Sequence, residues 1–310
     1  MKKISLKTKV LSALGLLLAT VFWGINYVAQ QNGSQYMDPF TFNTTRMIIG
    51  AFVVLPIILM KNYKETKKFS FFKGEEDKRE TIRGGLICGV ILVMGITSQQ
   101  AGIRLTSVGK AGFLSSLSVM VVPLIGMAMG KKVELYQWIG IVFAIIGVGL
   151  ISLNQVSGIN TGDIFMLMSS FFIAFHILSA GFFNKKVDSF QFSFLRFFFG
   201  GILCLTLALI FEDINFSQMK NALPAILFSG VIGSGIAFTL MAVSQTYLDS
   251  ITTSIIMSLE SVFAALSGWL ILGQVLTSRE LLGCVIVFLA VLGMQIYGEI
   301  KNRTNIINTN

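Results

Sequence analysis

The sequence predicts an all-α membrane protein of ten transmembrane helices, arranged as two inverted five-helix repeats. Three observations predict it. Hydrophobic residues make up 54% of the chain and charged residues 13%, about half the charged share of an ordinary soluble domain. Ten apolar runs reach or approach the roughly 20 residues that an α-helix needs to cross a bilayer. The chain also matches itself: Asp38, Phe40, Phe42, Arg46 and Gly50 recur 150 positions later as Asp188, Phe190, Phe192, Arg196 and Gly200. Later in each half the offset becomes 143, pairing Leu105 with Leu248, Ser107 with Ser250, Ser115 with Ser258, Gly130 with Gly273 and Gly140 with Gly283. Five spans per repeat is an odd number, so the second copy enters the membrane from the opposite side.

The expected spans are 10–29, 41–60, 84–103, 108–129 and 136–153, then 161–181, 190–211, 222–245, 250–272 and 279–298. None shows the alternating pattern of a barrel strand. The first run follows a basic start but is nearly a full span long. It lacks a small-x-small cleavage site and aligns with the sixth span, Phe22, Gly24 and Asn26 meeting Phe172, Ala174 and His176. That excludes a signal peptide. Residues 1–153 thus form the first repeat, with a cytoplasmic loop at 61–83. Residues 154–298 form the second, and 299–310 a polar, frayed tail. The 61–83 loop mixes both signs of charge and has room for a short amphipathic helix. Most other connections are short, which makes consecutive spans antiparallel neighbours.

The net charge of +9 speaks to orientation. With the N-terminus inside, the inner segments carry 18 Lys and Arg residues and the outer connections 4. The positive-inside bias therefore places both termini in the cytoplasm, in a cytoplasmic membrane. Without a one-sided basic surface, nucleic acid is excluded as a partner. Cys88, Cys204 and Cys284 lie in separate spans as small core residues. The chain has one histidine, no phosphate-binding glycine loop and no nucleophile–base set, so no catalytic residue, metal or cofactor is assigned. Small-residue faces at Gly84-Gly85-Gly89, Gly126-Gly130 and Gly230-Gly233-Gly235 allow close helix approach, the third being dense enough to bend.

Polar groups at membrane depth cost free energy and need a reason. Glu260, about ten residues into the ninth span, breaks the repeat symmetry, since its counterpart is Leu117. It reads as a protonatable coupling group or a partner for a substrate amine, or else as a carboxyl tying two helices together. His176 aligns with Asn26, which places both near mid-membrane. Trp23 and Tyr27 share a face beside Asn26. That face suits an organic solute, or ordinary packing. Phe172 and Phe175 flank His176 and could extend an aromatic lining. Gln99, Gln100 and Gln245 line an outer vestibule or sit at the interface. Arg46 and Arg196, each a turn or two into its span, read as structural anchors that snorkel to the headgroups.

The F-x-F-x-x-x-R starts of spans two and seven, LTSVGKAGFLSSLSVMVVPLIGMAMGKKV, and LESVFAALSGWLILGQVLTSRELLG resemble EamA-type members of the drug/metabolite transporter superfamily. The likeness covers nearly the whole chain. Two departures are Ser261 in place of a customary proline, which alters a bend in span nine, and Gln274 in place of a customary acid. The resemblance implies export or exchange of small metabolites. It also implies a central cavity between spans one, three, four, six, eight and nine. On this chain that cavity includes Trp23, Asn26, Gln99, Ser115, His176, Phe238, Ser258 and Glu260.

The expected function is a secondary transporter that moves a small organic metabolite, such as an amino acid, by alternating access. Glu260 exchanges a proton for the solute, and one subunit suffices within the lipid bilayer. An uncoupled facilitator or exchanger is the alternative within transport. A lipid-handling protein, the alternative from another class, would show a polar furrow toward lipid. A membrane enzyme would need clustered acids or histidines, which are missing.

Overall fold

A computed structural model describes residues 6–67, 69–72, 78–106, 108–130, 132–152, 160–273 and 275–307. Ser107, Lys131, Gln274 and the junction at 153–159 lie outside these. Each of the ten predicted runs is helical. The first repeat comprises α1 (Leu6–Gly33), α2 (Pro39–Thr66), α3 (Lys78–Leu105), α4 (Val108–Ser116), α5 (Ser118–Ala128) and α6 (Leu135–Ser152). The second comprises α7 (Thr161–Phe183), α8 (Ser189–Phe211), α9 (Phe216–Asn221), α10 (Leu223–Leu227), a π-helical segment (Phe228–Ala237), α11 (Phe238–Gln245), α12 (Ser250–Met257), α13 (Leu259–Leu272) and α14 (Ser278–Ile307). Among the described residues nine helical stretches are long and apolar enough to span a bilayer, and Leu135–Ile151 is a shorter apolar tenth.

Two expectations at the chain's polar parts need correction. The tail is not frayed from residue 299, because α14 continues to Ile307. No glycine or proline follows Gly298 to stop it. The 61–83 loop holds no separate helix among its described residues. Instead α2 runs on to Thr66 and ends at Lys67, whose left-handed backbone (φ 59°) lets its N–H reach the Tyr63 carbonyl. The repeat-matched glycines Gly130 and Gly273 likewise carry positive φ (80° and 66°) at the ends of α5 and α13, a backbone that side-chain-bearing residues resist.

Packing follows the duplication. The most extensive contacts pair α3 with α7, α6 with α14 and α2 with α8. Two pairings across the repeats correspond: α3 lies along α7, and the π segment and α11 lie along α1. Glycines set these approaches: a Cβ on Gly89 of α3 would meet the Arg196 carbonyl of α8 at 2.8 Å. A Cβ on Gly24 of α1 would meet the backbone of Phe263 at 2.6 Å. The α2 N-terminus is closed from the far repeat. Glu212, just past α8, accepts from the backbone N–H groups of Phe40 and Thr41, both at 2.7 Å, and from the Thr41 hydroxyl at 2.8 Å. Asp38 pairs with Arg104 at 2.7 Å, while its repeat counterpart Asp188 caps α8 and pairs with Lys61.

The fourth, eighth and ninth spans are interrupted in mid-course. The fourth breaks at Leu117 and the ninth at Ser258. In the ninth, Ser258 donates its hydroxyl to the Ile255 carbonyl (2.6 Å) and Ser261 to the Ser258 carbonyl (2.7 Å). Serine hydroxyls bonded back to the preceding turn bend helices. The ninth span is therefore broken without the proline that Ser261 replaces. The eighth span widens into the π segment, whose Gly230, Gly233 and Gly235 are buried.

Candidate functional site

The interrupted helices meet around a small cavity of about 40 Å³. Its walls are Trp23, Asn26 and Gln30 of α1, Arg46 of α2, Ile96 and Gln99 of α3, and Ser115 of α4. Ile173 and His176 of α7, Phe238 and Met241 of α11, Met257 of α12 and Glu260 of α13 complete it. Helices from both repeats therefore contribute. Three larger grooves open at the surface: one of about 420 Å³ between the end of α1 and α10, and two, of about 560 and 650 Å³, on the outer flank of the bundle, along α6 and α14 and between α1, α12 and α14. The linings of the last two are mostly apolar, and among the described residues none of the three carries a buried carboxylate. Converging polar groups, not size, single out the inner cavity.

Each wall is positioned by its helix. Trp23 donates its indole N–H to the Gly233 carbonyl (3.1 Å), and the Asn26 carbonyl oxygen accepts from Ser229 at 2.6 Å. Both bonds fasten α1 to the π segment, where Gly233 leaves space for the Asn26 amide. A π turn beside a polar cavity is common at functional sites. Gln99 donates to the Tyr27 hydroxyl (3.1 Å) and to Ser115 (3.4 Å). Tyr27 is fully buried behind the wall and interacts with the Glu260 carboxyl. Glu260 is half-buried and, among the described residues, is the only carboxylate lining the cavity.

Several polar atoms at this cavity have no protein partner: Arg46 Nε, His176 Nδ1 and Gln30 Oε1 are all buried and unbonded. Buried polar atoms are normally paired. Three of the nine such atoms among the described residues belong to side chains that line this one cavity, which gathers unmet donors and an acceptor there.

Of the predicted site residues, Trp23, Asn26, Gln99, Ser115, His176, Phe238 and Glu260 come together here. Tyr27 supports the wall. Ser258 does not reach it, its hydroxyl being spent on the helix break. Phe172 and Phe175 also stay away. They pack edge-on against Phe171, which is exposed on the bundle's outer face. Gln100 and Gln245 line no vestibule. Gln100 donates to the Gln30 carbonyl and Gln245 to the Ile177 carbonyl, each at 3.1 Å, tying α3 to α1 and α11 to α7.

The two arginines depart most from expectation. Neither snorkels: Arg46 is 3% exposed and Arg196 0%. Both spans are long enough to carry their arginines inward, where helix packing buries them. Arg46 faces the cavity. Arg196 sits in a cage of Phe192, Phe197 and Phe238, with ring centroids 5.1, 4.9 and 5.3 Å from its guanidinium carbon. Its two terminal nitrogens contact His176 Nε2 (3.2 Å), Ser193 Oγ (3.5 Å) and the Phe238 carbonyl (3.4 Å).

The residues that sequence reasoning did not place in the lining are Gln30, Arg46, Ile96, Ile173, Met241 and Met257. A signal existed for five of them. Ile96, Ile173 and Met257 each lie three positions before a predicted lining residue, Met241 three after Phe238, and Gln30 four after Asn26. Those spacings share a helix face.

The chain matches the EamA-like transporter family over residues 10–153 and again over 160–295. It is 28% identical over 280 residues to an uncharacterized transporter of Archaeoglobus fulgidus, covering 90% of this chain and 84% of that protein. It is 22% identical over 283 residues to the uncharacterized transporter YoaV of Bacillus subtilis, covering 88% and 93%. One solved crystal structure superposes with a TM-score of 0.73 at 13% identity, over 92% of this chain and 96% of that one.

Proposed function

Because the chain belongs to the EamA-like transporter family, and is therefore a multi-pass membrane transporter rather than an enzyme, we propose that the inner cavity is its solute site. On this reading the solute is an amino acid or a similar small metabolite, exported across the cytoplasmic membrane by alternating access. The single observation that carries it is the cluster of orphaned polar atoms, with Arg46 and His176 offering donors and Glu260 a carboxylate around one small cavity. A guanidinium suits a carboxylate, and a carboxylate suits an ammonium.

The proposed cycle starts from a protonated Glu260. An incoming ammonium group displaces that proton, which leaves toward the opposite gradient. At about 40 Å³ the cavity holds roughly three waters, too little for an amino acid, so the two inverted repeats must rock apart to admit solute. The interrupted spans and the π segment supply the bending points. The two repeats (residues 1–153 and 154–298) provide the symmetry within one subunit, with both termini in the cytoplasm.

Proteoliposomes loaded with a mixed pool of amino acids and related metabolites test this by mass-spectrometric flux, with and without an imposed pH gradient. Selective loss of zwitterionic solutes, accelerated by the gradient, supports the proposal. Selective loss indifferent to the gradient reduces it to a facilitator. No protein-dependent loss of any pool member overturns the solute class.

A further inference from the structure

We infer that Arg196 is a positioning residue that fixes the proton of His176 on Nδ1, making this ring a permanent hydrogen-bond donor on the cavity wall. The inference rests on the contact between Arg196 and His176 Nε2, 3.2 Å long and fully buried. A guanidinium carries five N–H donors and has no lone pair to offer. The only hydrogen bond these atoms can make is from Arg196 to the Nε2 lone pair. That bond requires Nε2 to be unprotonated, so the ring's proton sits on Nδ1, the nitrogen left without a partner beside the cavity.

The surroundings hold the pair in this arrangement. Arg196 is gripped by three phenylalanine faces and by Ser193 and the Phe238 carbonyl. Phe238 also packs edge-on to the His176 ring at 5.9 Å. Among the described residues no carboxylate forms an ion pair with Arg196. The titratable or charged groups facing this pair are Arg46 and Glu260 across the cavity and Cys88 on α3 beside Arg196. Arg46 adds a second positive charge and Glu260 stands on another wall, so nothing competes for the Nε2 lone pair. His176 consequently reads an acceptor on the solute, a carboxylate or carbonyl oxygen, and does not shuttle protons. This functional consequence rests on the cavity being the solute site; the tautomer does not.

His176 is the only histidine in the chain, so labelling the full-length protein with 15N-histidine in lipid nanodiscs leaves one imidazole to observe. At neutral pH the expected spectrum shows a protonated Nδ1 and a lone-pair Nε2, the favoured tautomer in about tenfold excess or more, which one charge-assisted hydrogen bond sustains. Arg196→Lys retains a cationic donor and retains the preference. Arg196→Met loses it, and the ring relaxes to a mixture. A protonated Nε2 in the native protein, or an unchanged spectrum in folded Arg196→Met, overturns the inference. The wild-type spectrum decides the matter even where Arg196→Met does not fold. Flux measurements test the solute site separately.

Discussion

Arg46 and Arg196 stand 150 positions apart at the same place in the two copies of one motif, yet they meet opposite surroundings. Around Arg196 the copy supplies His176, Ser193, Phe192 and Phe197, and every one of them touches it. Around Arg46 the matching residues are Asn26, Asn43, Phe42 and Met47. Asn26 has turned to Ser229 and Asn43 donates to Thr97 at 3.2 Å. Each arginine keeps an unbonded Nε, but of the two only Arg46 lines the cavity. Duplication preserved the helix framework while the neighbours diverged. One arginine became internal structure and the other an unfilled binding group.

That contrast can be broken by matched substitutions. Arg46→Met keeps most of the volume and removes the charge. It is expected to lower flux by about 100-fold, the loss from one or two hydrogen bonds to a charged group, while the thermal midpoint in nanodiscs barely moves. Arg196→Met is expected to act mainly on the fold, lowering stability by roughly 1–3 kcal/mol through its lost hydrogen bonds, with a smaller loss of flux than Arg46→Met because only the His176 donor is weakened. If both variants lose flux alone, or both lose stability alone, the division of labour is wrong.

Glu260→Gln sharpens the asymmetry on the other wall. Its repeat counterpart is Leu117, so only one half carries an acid here. The variant is expected to bind and exchange solute while losing the several-fold acceleration by a pH gradient. Full retention of that acceleration would remove the coupling role.

The smallest effect is expected at the helix starts. The α2 N-terminus is capped in trans by Glu212, whereas the α8 N-terminus is capped by its own Asp188. Losing a cap costs about 1 kcal/mol. Glu212→Ala should therefore cost about as much as Asp188→Ala in a melt. Each also loosens a tie between the repeats, since Asp188 pairs with Lys61 of α2, but only Glu212→Ala should raise hydrogen exchange at both the start of α2 and the end of α8. Exchange confined to one helix would argue against a link between repeats.

The fold was legible because the bilayer forces every backbone polar group into a helix, and spans of such length announce themselves. The repeat was legible because an offset of 150 keeps Asp38, Phe42 and Arg46 in register with Asp188, Phe192 and Arg196. Much of the cavity followed from the cost of burying Glu260, His176, Asn26 and Gln99. What stayed hidden was direction around the helix. Phe172 and Phe175 flank His176 in sequence, yet α7 turns them toward Phe171 on its outer side. Ser258 has a hydroxyl at the right depth, but local geometry spends it on the backbone. Arg46 was misplaced because an arginine near a helix start ordinarily escapes to the headgroups, and only three-dimensional packing shows that this one cannot.

The account stands most directly on whether solute occupies the cavity between Arg46 and Glu260. Met257→Cys, in a background with Cys88, Cys204 and Cys284 replaced by alanine, puts one thiol on that wall. Labelling with a small methanethiosulfonate is followed with and without the amino acid that leaves proteoliposomes fastest. The account predicts that solute at ten times its dissociation constant slows labelling by about tenfold, as mass action requires of a shared site. Labelling at the same rate with and without saturating solute would contradict it.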